Sequence, residues 1–283
     1  MKNYNILFLL LFQFVSGCNG QTQTNSETEA IVLKQKQSIK NNPNSISFDT
    51  TYKTIHIFVA LCDNKYQGIV PVPTRIGNGQ DPNNNLYWGC GYGVRTYFKN
   101  SKEWTFVRTQ KLDTIRLERI VFKHRSKNYY LVADAYNGKY IKKCTQEFLQ
   151  SSCGQHKDTI MIDNKTIGIA GNSSLIAYIG HDGLMDFQLS ETFINMDGKK
   201  RDVIILACYS KSYFSQHLRQ ANVNLLVWTT GLMAPEAYTI HDAIVGYINI
   251  ETNESIRTRA ASAYSKFQKC SEKAARNLLV TGW

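Results

Sequence analysis

The sequence predicts an α/β fold in which a mainly parallel sheet forms the middle of a three-layer α/β/α sandwich. Short apolar runs rich in β-branched and aromatic residues recur along residues 51–283, and each is typical of a buried strand. Amphipathic stretches of helical length separate most of these runs. Alternation of strands and helices indicates a parallel sheet, and strands that are apolar throughout fit a sheet covered on both faces.

The first half of this domain begins with a strong strand. Residues 55–61 are apolar apart from His56. Residues 64–85 are rich in glycine, proline and asparagine and predict a long irregular loop, which in a compact domain is usually functional or mobile. Apolar residues on one helical face predict a helix over 90–100. Residues 111–127 are consistent with a strand or hairpin, and 129–133 predict a strand that ends at Asp134.

The second half repeats the alternation more regularly. An amphipathic helix is predicted over 140–151, followed by an edge strand at 159–162. Continuous apolar runs predict three buried strands, at 175–180, 203–208 and 225–228. The segments around and after them predict further helices, at 190–195, 213–221, 234–246 and 255–279.

Residues 1–17 have the composition of a secretory signal. A positive end at Lys2 precedes an apolar stretch from Ile6 to Val15 that is too short to span a bilayer as a mature helix. The segment Val15-Ser16-Gly17-Cys18 resembles the bacterial lipobox, which implies cleavage before Cys18 and acylation of that residue. Membrane lipid is then a partner, and the bacterial cell envelope is the expected location. The alternative is a secreted protein with an incidental cysteine.

Residues 18–50 are predicted to form a flexible tether behind the lipidated cysteine. They are rich in Gln, Thr, Asn, Ser, Lys and Glu and carry few large apolar groups, so they cannot bury enough surface to fold. Residues 51–283 are predicted to form a single domain, since the chain shows no internal repeat and no interdomain linker.

The chain is basic, with a formal net charge of +11 and an isoelectric point near 9.2. Its lysines and arginines are scattered, and no basic patch is interleaved with base-stacking aromatic residues, so no nucleic-acid partner is expected. A basic surface that faces an anionic membrane or envelope polymer is the simpler interpretation.

The seven cysteines show no CxxC pair and no Cys/His spacing typical of zinc, so no metal or cofactor is predicted. Cys144 and Cys153 flank the predicted end of the 140–151 helix. They are compatible with a disulfide in an oxidising envelope or with two separate thiols.

His181 and Cys208 are the candidate catalytic residues. Each follows or ends a short apolar run that reads as a buried strand. Ligands bind at the carboxyl ends of strands in open α/β sheets, so the two side chains are expected to meet there if their strands are neighbours. An imidazole beside a thiol can remove its proton and produce the thiolate nucleophile.

The order of apolar strand, His181-Asp182-Gly183, apolar strand and Ala207-Cys208 resembles the caspase-like superfamily, which includes caspases, metacaspases, gingipains, legumains and the CHAT domains. The resemblance implies a cysteine peptidase in which His181 is the general base and Cys208 the nucleophile. It also implies that the Gly183 amide helps to bind the oxyanion. The family's usual motif is His-Gly, so Asp182 is a departure.

Asp134, Asp63 and Glu236 are candidate substrate-binding residues, because each lies at or just after a predicted strand end. In arginine- and lysine-specific members of the superfamily, carboxylates line the pocket for the basic substrate side chain. Asp134 is the first choice. The alternative for each residue is a helix cap or a surface group.

Three functions remain open from the sequence. The first is a membrane-anchored peptidase that acts on peptide or protein substrates in the envelope. The second is a non-catalytic lipoprotein that binds an envelope partner through its 64–85 loop. The third is another thiol enzyme, such as an acyl or amide transferase.

Overall fold

The computed structural model describes residues 47–283. The predicted signal peptide at 1–17, the predicted lipidation site Cys18 and most of the predicted tether lie outside the described residues. Asp49, near the end of the predicted tether, contacts the domain through its main chain: its N–H donates to the Thr166 carbonyl at 2.7 Å. Within the described residues, no helix has both the length and the apolar character needed to cross a membrane.

Ten strands and six α-helices make up this part of the chain. The strands are β1 (Lys53–Ala60), β2 (Trp104–Lys111), β3 (Arg116–His124), β4 (Tyr129–Tyr136), β5 (Lys157–Ile162), β6 (Lys165–Ala170), β7 (Leu175–Ile179), β8 (Arg201–Leu206), β9 (Val223–Thr229) and β10 (Leu279–Val280). The helices are α1 (Val94–Lys99), α2 (Ile141–Ser152), α3 (Ser210–Leu218), α4 (Ala237–Ile248), α5 (Asn253–Gln268) and α6 (Glu272–Leu278).

Eight of the strands form one mixed sheet with the order β10-β9-β8-β7-β1-β4-β3-β2. The five central strands, from β9 to β4, are parallel, and both edges are antiparallel. Along the chain, the sheet first grows from β1 toward β4 and then from β1 toward β7. The strand order therefore reverses between β1 and β7, and in open α/β sheets the crevice outside the carboxyl ends at such a point is the usual ligand site.

The parallel strands are buried on both faces. Alternate residues of β1 belong to different core clusters: Ile57 packs in a cluster with residues of α1, α4 and α5, and Phe58 packs in another with residues of α2 and α3. In β7, Ala177 belongs to the first of these clusters and Tyr178 to the second. Both neighbours of each central strand are strands and both faces are packed, which explains why these strands are apolar almost throughout.

The predicted α/β class with a mainly parallel sheet is confirmed, and several elements differ from the prediction. β5 pairs with β6 in a separate two-stranded hairpin rather than at the edge of the main sheet. The helix predicted over 190–195 is wrong, because that segment has no regular secondary structure. The helix predicted over 255–279 is two helices, α5 and α6, interrupted at Lys269 with a left-handed φ of 54°. Cys144 and Cys153 are buried, separate thiols.

Candidate active site

β7 and β8 bring the candidate dyad residues to the same edge of the sheet. The two strands are parallel neighbours with Ile179 opposite Leu206. His181 and Cys208 each lie two residues beyond that register pair, and the Gly180 N–H continues the ladder by donating to the Leu206 carbonyl at 3.2 Å. The two residues therefore occupy corresponding positions at the carboxyl ends of adjacent strands, which lie about 4.8 Å apart in a parallel sheet.

Gly180 allows His181 to sit at this point. Its φ of 143° is one that side chains rarely adopt, and a Cβ at this position would lie 2.6 Å from the Ala60 carbonyl oxygen of β1. Only glycine fits both constraints. The close approach of β1 to the end of β7 places His181 beside the point where the strand order reverses.

A carboxylate orients the His181 ring. Nε2 of His181 lies 2.8 Å from Oδ2 of Asp186, and the histidine side chain is almost fully buried. The same oxygen accepts a hydrogen bond from the Gly68 N–H at 2.9 Å, which ties the 64–85 loop to the pair. A Cβ at Gly68 would collide with the Asp186 carboxylate. Asp186 was not predicted as part of the site, because no local pattern in the sequence indicates that its loop returns to His181.

The contact with Asp186 decides which ring nitrogen of His181 can act as the base. When neutral His181 donates from Nε2 to the carboxylate, its lone pair is on Nδ1. Within residues 47–283, no hydrogen bond uses that Nδ1 atom. The ring can therefore accept a proton on Nδ1, and the carboxylate would stabilise the imidazolium that forms.

The Cys208 thiol is half-buried beneath the segment that follows β9. Its Sγ lies 3.4 Å from the Met233 nitrogen and 3.6 Å from the Met233 oxygen. Burial raises the pKa of Cys208, and the hydrogen bond from the Met233 N–H opposes this rise. In the described part of the chain Sγ has no hydrogen bond to His181. The resting group is thus a thiol that needs a base to become a nucleophile.

The turn after Cys208 is sharp and firmly held. Tyr209 has a φ of 50°, in the left-handed region, and α3 begins at the next residue. The Tyr209 N–H donates to the Gly231 carbonyl at 2.8 Å, and the Ser210 N–H donates to Thr229 Oγ1 at 3.1 Å. A strained non-glycine residue at the turn is maintained only where its surroundings fix it. These contacts hold Cys208 at the carboxyl end of β8.

Asp182 and Gly183 form a buried turn beside the dyad. Oδ1 of Asp182 accepts from the Leu184 N–H at 3.0 Å, whereas its buried Oδ2 has no hydrogen-bond partner in the described residues. Burial raises the pKa of Asp182 to about 7, and a charged Asp182 would raise the pKa of Cys208. Gly183 is buried, and a Cβ there would lie 2.6 Å from the Phe187 ring. Gly183, the predicted oxyanion donor, therefore lies two residues after His181, with the Asp182 carboxyl group between them in the chain.

Asp182→Asn should remove a pH-dependent loss of stability. Because the folded-state pKa of Asp182 is raised above the value of about 3.9 in an unfolded chain, its protonated form stabilises the fold below pH 4, and that contribution is lost as pH rises toward 7. We expect the variant to match the wild type near pH 4 and to exceed it at pH 8 by a few kcal/mol, on the order of 1.4 per pKa unit. Denaturant unfolding of both chains at the two pH values measures this.

Asp163→Asn is the matched control for this experiment. Asp163 lies in the turn of the β5–β6 hairpin with a φ of 46°, which asparagine accepts. Its side chain is exposed, so its substitution should change the free energy of unfolding at pH 8 far less than Asp182→Asn does. An Asp182→Asn chain with the same pH profile as the wild type would show that Asp182 does not titrate as described.

Asp134, the first choice for binding a basic substrate side chain, lies within β4 rather than after its end. It is fully buried, and its oxygens accept from Arg119 Nε at 2.6 Å and Arg119 Nη2 at 2.7 Å. Nε2 of His56 contacts it at 3.1 Å. The hydrogen bonds from Arg119 and the nearby His56 hold the pKa of Asp134 well below its usual range, despite burial. Its charge is already balanced inside the protein.

Asp63 and Glu236 also have partners of their own. Asp63 is buried at the start of the 64–85 loop, where Oδ1 accepts the Lys65 N–H at 2.9 Å and Oδ2 accepts from Gln80 at 2.6 Å. Oε2 of Glu236 accepts from the Tyr238 hydroxyl at 2.9 Å just before α4, and burial raises the pKa of Glu236. Neither carboxylate has a hydrogen bond to His181 or Cys208 among the described residues.

Exposed apolar side chains surround the dyad. Six of the large apolar residues that the fold leaves in solvent lie on segments that follow the carboxyl ends of β1, β7, β8 and β9. We call this set the apolar rim: Tyr66, Val70, Met185, Tyr209, Tyr213 and Leu232. Val70 is 87% exposed and Leu232 is 68% exposed. A collection of apolar groups around two reactive side chains is typical of a binding site.

No group of three or more His, Cys, Asp or Glu side chains in residues 47–283 is arranged to hold a metal ion. The reactive groups described at this edge are a thiol, an imidazole, carboxylates and backbone amides. Comparison of the chain with protein-family models, with curated proteins and with solved structures finds no match.

Proposed function

We propose that this chain is a lipid-anchored bacterial envelope protein whose domain is a cysteine peptidase of the caspase-like kind. The observation that carries the proposal is the placement of Cys208 and His181 at corresponding ends of adjacent parallel strands, with Asp186 at hydrogen-bond distance from Nε2 of the imidazole. A nucleophile, a base and a group that orients the base are the components that covalent acyl transfer requires.

The architecture supports the proposal in two ways. In the strand order β4-β1-β7-β8-β9, the histidine follows β7, which borders the reversal point where α/β sheets bind ligands, and the cysteine follows the next strand, β8. Helices α2 and α3 contribute to one core cluster and α1, α4 and α5 to the other, which is the arrangement expected of a three-layer α/β/α sandwich.

The proposed reaction begins with proton transfer from Cys208 to Nδ1 of His181. The thiolate attacks the carbonyl carbon of the scissile peptide bond and forms a tetrahedral intermediate whose oxyanion is bound by the Gly183 N–H. The intermediate collapses as the C–N bond breaks, and His181 gives its proton to the leaving amine. Water then attacks the thioester with His181 as base, which releases the acid and restores the thiol. Asp186 balances the charge on the imidazolium in both halves.

The direct test uses an electrophilic peptide and a fluorogenic peptide library on the full chain in mild detergent. We expect covalent labelling of Cys208, located by mass spectrometry, and cleavage of some library members. Labelling and cleavage should rise together as pH rises, because burial raises the pKa of Cys208 and the thiolate is the form that reacts. Absence of both would overturn the peptidase proposal.

A specific observation favours a second candidate, binding of an envelope partner through the 64–85 loop. Val70 and Tyr66 present apolar side chains to solvent on that loop. Hydrogen bonds between Asn64 and the Val72 backbone at 2.7 and 3.0 Å fix the loop's shape. Capture of a partner that Val70→Ser weakens, in a chain that shows no thiol labelling, would support this function instead.

The lipid anchor is tested at Cys18. Replacing Cys18 with serine removes the thiol that accepts the acyl chain, so the expected product is an unprocessed and unlipidated precursor. Metabolic labelling with a radiolabelled fatty acid measures the change, with Cys270→Ser as the control that keeps its label. A Cys18→Ser chain that is still shortened and still partitions with lipid would contradict the anchor.

A further inference from the structure

A groove of about 500 Å³ lies between α3 and the segment that follows β7. Its lining begins at Leu184, three residues after His181, and continues through the segment up to Phe193. α3 supplies the opposite wall, from Tyr213 through Gln216 to His217. The two segments that line the groove therefore begin within five residues of His181 and of Cys208.

The walls combine apolar and polar side chains, and the only carboxylate in the lining is that of Glu191. Phe187, Leu189 and Phe193 supply apolar surface, and glutamine amides supply neutral hydrogen-bonding groups. Burial lowers the pKa of His217, and the nearby Glu191 carboxylate opposes this lowering. Lys142 lies over the ring of Phe187, 5.7 Å from its centroid, and is not part of the lining.

Glu191 is positioned without being neutralised. One of its carboxylate oxygens accepts a hydrogen bond from the side-chain amide of Gln146 on α2. Within residues 47–283 no lysine, arginine or histidine forms an ion pair with it. In a chain with a net charge of +11, the exposed Glu191 carboxylate in the lining of this groove is a local negative site.

The groove lies within reach of a peptide held at Cys208. A helix rises about 1.5 Å per residue, so the α3 wall of the groove, from Tyr213 to His217, extends from roughly 5 to roughly 10 Å from the start of the helix beside Cys208. An extended peptide advances about 3.3 Å per residue. The groove thus corresponds to positions about two to three residues from the scissile bond.

We infer that this groove is a subsite for a lysine or arginine side chain of the bound peptide, with the aliphatic stem against Phe187, Leu189 and Phe193 and the cationic head at Glu191. Long basic side chains combine an apolar stem with a charged end, which matches the three apolar residues and the single carboxylate of the lining. The inference rests on the proposed peptidase function, because it takes an extended peptide at Cys208 as the occupant.

The test measures binding separately from cleavage. The full chain carrying Cys208→Ala is titrated in mild detergent with fluorescein-labelled alanine octapeptides, each with one lysine, and with the same series carrying norleucine in place of lysine. We expect lysine to improve binding about tenfold at one or two positions. Glu191→Gln should abolish the difference between the two series, and Glu272→Gln, at the start of α6, should leave it unchanged.

The outcomes separate the two proposals. Equal binding of the lysine and norleucine series, or none of either, would overturn the subsite. A lysine preference that depends on Glu191, in a chain whose wild type neither cleaves peptides nor reacts with electrophiles, would retain the groove and reject the peptidase. Cleavage by the wild type without any preference for lysine would retain the peptidase and reject the groove.

Discussion

Cys208→Ala should abolish hydrolysis of every peptide that the wild-type chain cleaves, with a loss of at least about 10³-fold in rate. Without the thiol no acyl-enzyme forms, and neither His181 nor Asp186 can replace a nucleophile. Because the side chain is half-buried and the volume change is small, the free energy of unfolding should fall by only about 1 kcal/mol. Rates are measured with fluorogenic peptides, and stability is measured by denaturant unfolding of the same preparations.

His181→Ala should reduce the rate in the same direction, and the double variant should be no slower than Cys208→Ala alone. The two side chains act as one unit, so their effects are not additive. Cys270→Ala, at another half-buried thiol, is the matched control and should retain activity. Electrophile labelling that persists in Cys208→Ala and maps to Cys62, Cys90 or Cys270 would show that a different thiol reacts.

Asp134→Ala should destabilise the domain by about 3–5 kcal/mol, the range measured when one partner of a buried ion pair is removed. The change leaves the buried Arg119 guanidinium without its two hydrogen-bond acceptors and removes the contact with His56. Chemical unfolding measures the loss. In the wild type this stabilisation is present above about pH 4, and it is lost as pH falls toward the depressed pKa of Asp134.

Glu251→Ala is the matched control for Asp134→Ala. Glu251 accepts two hydrogen bonds from Arg259, at 2.6 and 2.7 Å, in the same two-pronged geometry but in a pair that is part-exposed. Exposed pairs contribute roughly 0–1 kcal/mol, so this variant should be nearly as stable as the wild type. Equal losses for the two variants would contradict the role given to burial around Asp134.

Burial decides which elements the sequence predicts well. β7, β8 and β9 are apolar because both faces of the central sheet are covered, and their predicted positions agree with the structure to within a few residues. β2 is an edge strand with mostly exposed side chains, so it lacks an apolar signal and was not predicted. The break between α5 and α6 falls at Lys269, where neither glycine nor proline marks it.

The same reasoning separates the predicted parts of the site from the missed ones. The position of a residue at a strand end is a local property, so His181 and Cys208 could be proposed from their strands. The partners of a carboxylate depend on how distant segments meet. Asp134 follows a predicted strand yet faces Arg119 inside the sheet, and Asp186 lies in a loop whose return to His181 no local pattern indicates.

The double acceptor role of Asp186 links the 64–85 loop to the orientation of the base. One carboxylate oxygen receives hydrogen bonds from the Gly68 N–H and from the His181 ring. When the Gly68 donor withdraws, the carboxylate loses one of the contacts that fix its position, and the ring that it orients is held less firmly. A ligand that presses on the exposed Val70 side chain and shifts this loop therefore changes the orientation of His181 without touching it.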